Sequence, residues 1–348
     1  MSPPIREGSG DSIGAIRLGD GTEISEVRTG AGDVLFSAST GPLLAYGSDD
    51  QNVYVHDVGG GFPLNSTLSQ AGSNVRGVSF SPDNSLLAYG SEDNDVYVHD
   101  VGGGFPLNST LSQAGDNVQG GPSFSPDNSL IAYGSNDANV YVHDVGGGFA
   151  LNSTLSQAGD SVESGVSFSP DNSLLAYGSD DFNVYVHDVG GGFPLNSTLS
   201  QAGDRVRGGV SFSPDNSLIA YGSNDQNVYV HDVGGSFGLN STLSQAGSNI
   251  RGDVSFSPDN SLIAYGDDNG DIFVHDVGGS FQLNSTLTDP GGFVRTVDFS
   301  AGNNFLMVSE ALTGSDEIFI YDVPSLSLNT SFSAATDSIF SFGSFNSV

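Results

Sequence analysis

The chain has 348 residues, no cysteine and no lysine, and 8 arginines against 41 acidic residues, for a net charge of −33. Such a charge argues against nucleic acid or an anionic membrane surface as a partner. The missing cysteines exclude a disulfide framework and a zinc–thiolate site. No apolar run reaches the length of a membrane span, so no membrane insertion is expected.

Residues 1–42 open the chain. Met1–Gly10 is polar, carries Pro3 and Pro4 and has no apolar core, so no secretory signal is expected. Ile13–Leu18, Thr22–Arg28 and Asp33–Phe36 then alternate apolar and polar residues. Gly19-Asp20-Gly21 and Gly30-Ala31-Gly32 separate them with turn chemistry that tolerates positive φ. This reads as a small three-stranded meander with too little apolar surface to stand alone. It is expected to anchor the chain on a partner or a sister subunit.

From Leu43 onward the chain repeats. Val53-Tyr54-Val55-His56-Asp57 returns as Val96–Asp100, Val140–Asp144, Val184–Asp188, Val228–Asp232, Ile272–Asp276 and, loosely, Ile318–Asp322. The steps are 43, 44, 44, 44, 44 and 46 residues. Within Val75–Leu111, Val75–Phe80 alternates as a strand, and Pro82-Asp83-Asn84 makes a turn. Leu86–Gly90 is an apolar strand, and Glu92–Asn94 turns again. Val96–Val101 is a third strand, broken by Gly102-Gly103-Gly104, and Leu107–Ser112 a short polar fourth. Four strands in about 44 residues match one propeller blade.

The run Ser79–Val101, with its Ser-Pro-Asp turn, Leu-Leu-Ala-Tyr-Gly-Ser strand and Val-Tyr-Val-His-Asp strand, resembles the WD-repeat family. The resemblance covers residues 43–348. It implies an all-β, seven-bladed propeller of four-stranded blades, preceded by the β extension of residues 1–42. Two family features are missing. The Trp before the Asp is replaced by His56, His99, His143, His187, His231 and His275, and the Gly-His before the first strand is absent. Each His is expected to be structural and to bond a group of the preceding strand and turn, such as Ser91 or Asp93 for His99. At the C-terminus, Asp337–Phe340 aligns with Asp204–Arg207, so a C-terminal strand is expected to complete the first blade and close the propeller. Val34–Ser37 is a rival for the same place.

No catalytic constellation emerges, and no cofactor or metal is expected. Gly10-Asp11-Ser12-Ile13-Gly14 has the spacing of a nucleophile elbow but not its strand–turn–helix context. All six histidines are committed to one repeat position, and equivalent positions in different blades lie beyond ligand distance of one another. Asp267-Asp268-Asn269-Gly270-Asp271 is oxygen-rich, yet it lacks a full calcium-loop spacing. Sequons stand at Asn65, Asn108, Asn152, Asn196, Asn240, Asn284 and Asn329. Duplication of one unit explains them as readily as glycosylation does.

The copies differ mainly in two segments: the link into the first strand and the turn between the second and third strands. The second segment holds Asp49, Asp50, Asp93, Asp137, Phe182, Asp225 and Asp268. In the family's topology both open on one face, which makes that face the candidate binding surface. Arg76, Arg207, Arg251 and Arg295 occupy one place in four units, where others have Gln119, Glu163 and Phe340. They are expected at the channel mouth. There they would bind an anionic glycan bidentately or pair with nearby aspartates such as Asp116, Asp160 or Asp204.

The aspartate-rich, lysine-free composition resembles proteins of extremely halophilic archaea or their viruses. Ile16–Arg28 is similar to short segments in structural proteins of haloarchaeal tailed viruses. These resemblances imply a virion surface protein, a tail fibre or capsid decoration. Residues 1–42 would contact other virion proteins or form a homo-oligomer, and the propeller would bind a host cell-surface protein or glycan. The alternative is a cellular or secreted haloarchaeal scaffold for protein–protein interaction.

Overall fold

A computed structural model describes residues 43–57, 63–288, 291–300, 302–311, 317–333 and 339–343, the last of these and 317 and 332–333 as backbone only. Four short strands before residue 43 are also described as backbone. Ile16–Arg17 pairs with Glu23–Ile24, and Glu26–Arg28 with Val34–Ser37, all antiparallel. The expected meander is therefore two separate two-stranded pieces. Its expected anchoring role and the Gly10–Gly14 match lie outside the described residues.

Seven four-stranded antiparallel sheets form the blades. Blade 1 holds Leu43–Ser48, Val53–Asp57 and Leu64–Leu68, with Ile339–Gly343 beside Leu43–Ser48. Blade 2 is Val75–Phe80, Leu86–Ser91, Val96–Asp100 and Leu107–Leu111. Blades 3 to 6 repeat this pattern, with third strands at Val140–Asp144, Val184–Asp188, Val228–Asp232 and Ile272–Asp276. Blade 7 is Phe293–Phe299, Phe305–Ala311, Glu317–Asp322 and Ser327–Ser333.

The expected closure by a C-terminal strand is overturned, because no sheet is closed. Each blade is an open sheet with a free edge at its first strand and another at its fourth. Ile339–Gly343 is one such edge, hydrogen-bonded along a single side. The physical reason is that neighbouring blades meet face to face through side chains, so no ladder runs between them. Val34–Ser37 pairs within the N-terminal segment instead.

The strand sequences follow from this stacking. Second strands such as Leu86–Ser91 are buried at every position because a blade packs on each of their faces. Fourth strands such as Leu107–Leu111 are the outermost, and only Leu111 is buried. Between blades 1 and 2, Ala45, Val53 and Val55 pack against Val75, Val78, Phe80 and Tyr89. Equivalent clusters recur around the ring. Each fully buried Val or Leu contributes about 1.5–3 kcal/mol of transfer free energy. The approach is close enough to demand glycine: a Cβ on Gly134 would lie 2.5 Å from Val162 Cγ1 of the next blade.

Candidate functional site

The six histidines are framework, bonded differently from expectation. His99 Nδ1 lies 2.8 Å from the Phe105 carbonyl oxygen and Nε2 lies 3.2 Å from the Tyr89 hydroxyl. Neither Ser91 nor Asp93 is its partner. A carbonyl only accepts, so Nδ1 carries the proton and Nε2 receives the Tyr hydroxyl hydrogen. His143, His187, His231 and His275 repeat both bonds. His56 bonds Tyr46 in the same way, at 3.1 Å. Each Tyr also stacks between its His and the third-strand aromatic, with Tyr89 5.4 Å from His99 and 5.3 Å from Tyr97. Burial pushes the imidazoles of His99, His143, His187, His231 and His275 below their usual pKa.

The turn aspartates Asp50, Asp93, Asp137 and Asp225 are also structural. Asp137 Oδ2 accepts from Gly115 N at 2.6 Å and from the Tyr141 hydroxyl at 2.7 Å. Asp93 and Asp225 do the same with Gly72 and Tyr97, and with Gly203 and Tyr229. Asp50 accepts from Tyr54 at 2.5 Å. Asp93, Asp137 and Asp225 thereby tie the second-to-third turn to the link entering the first strand. On the opposite face, Asp83 Oδ1 accepts from Ser81 Oγ, Ser85 N and Ser85 Oγ at 2.7, 3.0 and 2.7 Å. The uniformity of Ser-Pro-Asp-Asn-Ser is thus a folding requirement. The freely varying positions that remain are the tips around the channel mouth, including Phe182, and the arginine position.

The first strands line a central channel of about 460 Å³. Arg76, Gln119, Glu163, Arg207, Arg251 and Arg295 all contribute to its wall. The predicted arginines are therefore brought together, and most hold carboxylates that sequence reasoning did not pair with them. Arg76 contacts Glu92 at 2.5 Å and Asp49 at 3.1 Å. Arg207 contacts Asp180 at 2.6 Å and Glu163 at 3.1 Å. Arg251 Nε lies 3.3 Å from Asp268. The Arg295 guanidinium lies 5.4 Å from the Phe293 ring centroid. The partners are neither Asp116, Asp160 nor Asp204: they sit on the second-to-third turns and, for Glu163, at the arginine position itself. The bond to Asp180 holds the Arg207 pKa above its usual value. Burial raises the Glu163 carboxyl despite Arg207.

Deeper in the channel stand two acids missed from the sequence, Asp253 and Asp298. Asp298 takes the place of Ser79, Ser123, Ser167, Ser211 and Ser255 in the other first strands and accepts from Ser255 Oγ at 3.1 Å. Burial within the channel pushes Asp253 up to about 7, helped by the charge of Asp298. It pushes Asp298 up to about 6. Only the departure from glycine or serine at these repeat positions could have flagged them.

The sequon asparagines are exposed and occupied. Asn65, Asn108, Asn152, Asn196, Asn240, Asn284 and Asn329 each donate Nδ2 to the aspartate ending the third strand, at 2.6–2.9 Å. That bond gives them a folding role independent of any sugar. In Asp267–Asp271, Asp267 Oδ1 accepts from Asn269 N at 2.9 Å and Asp271 N at 3.2 Å, and Oδ2 accepts from Gly247 N at 3.0 Å. Among the described residues no group of three or more His, Cys, Asp or Glu side chains could hold a metal ion.

Residues 63–100, 151–188 and 196–232 match the WD domain, G-beta repeat family. The fold is a WD40-type seven-bladed β-propeller. Two of the matched stretches, 63–100 and 151–188, run from the fourth strand of one blade through the third of the next. Curated proteins gave no match to this chain. In this WD40-type propeller the Tyr–His pair and the Tyr–Asp–glycine bond brace each blade at and beside the position where the family pattern has Trp.

Proposed function

We propose that the chain is a non-enzymatic propeller that scaffolds a protein–protein contact through the face at the channel mouth, in a haloarchaeal cell or secreted from one. One observation carries this reading. Near-identical blades differ chiefly at mouth positions that close the turn through backbone alone and leave the side chain to vary, such as Gln51, Asn94, Ala138, Phe182 and Gln226 at one equivalent tip. Variation placed on a rigid frame suits recognition. A photoreactive residue at Gln226 should crosslink a protein in extracts of the source cells, and one at Pro106 on the opposite side should not. Crosslinks from Pro106 alone would reverse the reading.

A second reading is supported by the likeness of Ile16–Arg28 to segments of haloarchaeal virus structural proteins. It is a virion surface protein whose residues 1–42 contact other virion proteins or further copies of the chain, with the propeller on a host-surface protein or glycan. A protein inventory of purified particles tests it. An anionic glycan has weaker support, because Arg76 and Arg207 are already paired with carboxylates.

A further inference from the structure

Residues 43–348 hold five arginines: Arg76, Arg207, Arg251 and Arg295 line the channel, and Arg205, two residues before Arg207, reaches Asp180 beside it. Four of them serve three consecutive blades. Arg205 and Arg207 enter blade 5, Arg251 enters blade 6, and Arg295 enters blade 7. They form an arc over these blades. Arg205 and Arg207 both reach Asp180 of blade 4, and Arg251 Nε lies 3.3 Å from Asp268. An exposed phenylalanine stands at each end. Phe182 lies two residues from Asp180, and Phe293 lies beneath Arg295.

We propose that this arc binds an extended acidic segment of a partner protein, with carboxylates on Arg205 and Arg251 and apolar side chains on Phe182 and Phe293. The proposal rests on the reading of the mouth face as a protein-binding surface and names the partner's chemistry.

Three observations carry it. First, the arginines are not equally engaged. The Arg205 and Arg251 side chains are 49% and 38% exposed, and their carboxylate contacts lie at 3.5 and 3.3 Å. Charge-assisted pairs normally close to about 2.7–2.9 Å. Both therefore keep donor capacity for an incoming carboxylate, whereas Arg207 is held at 2.6 Å.

Second, Phe182 and Phe293 are the exposed aromatics among the described residues, at 43% and 48%. Neither is explained by the fold. Phe182 has φ 75, an uncommon conformation for a bulky residue, at a tip where other blades place Gln51, Asn94, Ala138 or Gln226. Phe293 stands where they place Asn74, Asn117, Ser161 or Asn249. Exposed aromatics beside arginines are the residue types that dominate binding energy at protein interfaces.

Third, the charge pattern selects the partner. An acidic segment approaching elsewhere on the propeller meets like charge, which disfavours misplaced contacts. At the arc the acids Asp180 and Asp268 are themselves held by arginines, and the segment meets the exposed guanidinium groups of Arg205 and Arg251. Short-range bidentate contacts of this kind persist where salt screens long-range attraction.

The test uses the full chain. A random twelve-residue peptide library is selected on it, and selected peptides are titrated by fluorescence polarisation against Arg205→Ser, Arg251→Ser, Phe182→Ala and Phe293→Ala. A soluble oligouronate is titrated in parallel. The expected result is enrichment of peptides with central Asp or Glu and flanking apolar residues, bound tenfold or more weakly by each arginine variant. Arg205 is half exposed, so its variant keeps the test open should another variant fold poorly. Neutral or basic peptides that still lose binding with Phe182→Ala overturn the acidic partner and leave the mouth-face reading standing. Peptides indifferent to all four variants but lost on Leu107→Ser at the outer rim overturn both. No enrichment, or arc-dependent binding of the oligouronate alone, overturns the proposal.

Discussion

Arg207 grips Asp180 through two nitrogens, Nε at 2.9 Å from Oδ1 and Nη2 at 2.6 Å from Oδ2. The two residues belong to neighbouring blades, and Asp180 is only 6% exposed. The arginine position that the repeat pattern marks as a ligand site is here a staple between blades. Asp180→Asn should therefore cost about 2 kcal/mol in denaturant unfolding, since a charged hydrogen-bonded pair loses its acceptor. Arg205→Ser, at an exposed 3.5 Å contact, should cost less than about 0.5 kcal/mol. Equal costs would contradict the staple.

The Tyr–His pairs give a second expectation. Tyr133→Phe removes one hydrogen bond to a buried imidazole and should cost about 1 kcal/mol. His143→Ala also leaves a cavity and an unpaired Phe149 carbonyl, and should cost about 3 kcal/mol. Thermal or chemical denaturation separates the two. No loss in His143→Ala would remove the bracing role.

The repeat made most of this fold legible. The period of Val53–Asp57 placed every blade, and the exposed pattern of Leu107–Leu111 placed the outer strands. What was not legible is the choice of side-chain partner, whether between blades, as for Arg207 and Asp180, or between strands of one blade, as for His99 and Tyr89, because repeat spacing alone does not choose among equivalent partners. Asp180 rather than Asp160 or Asp204 meets Arg207 because the second-to-third turn leans over the next blade's first strand. His99 meets Tyr89 because register places a tyrosine one strand away with its hydroxyl at the imidazole. The closure expectation failed for the related reason that a propeller joins its sheets by packing.

The histidines set a pH dependence. Their bonds require neutral rings, and burial lowers the pKa of five below the unfolded value of about 6.5. The unfolded chain therefore binds more protons as pH falls through that value, and stability declines on acidification. His143→Phe should flatten the slope of unfolding free energy between about pH 5 and 7 by one proton's share. An unchanged slope would mean that this ring titrates normally.

Asp253 and Asp298 act in the opposite direction. Their folded values of about 7 and about 6 exceed those of an unfolded aspartate, so the folded chain holds protons that the unfolded chain has released. Their contribution is most favourable at low pH and is lost as pH rises through 4 to 7. Asp253→Asn should stabilise by about 1–2 kcal/mol at pH 8, discounted because the channel admits water, and change little at pH 4. Destabilisation at pH 8 would mean that the carboxylate has a favourable partner in the channel.

The most direct test of the central claim is quantitative affinity capture from source-cell extract at the source's own salt, with three chains side by side. These are the wild type, Phe182→Ala/Phe293→Ala at the mouth, and Leu107→Ser/Leu283→Ser at the outer rim. A protein held by the wild type should fall tenfold or more with the mouth variant and stay with the rim variant. Retention by the mouth variant together with loss from the rim variant would contradict recognition through the channel-mouth face.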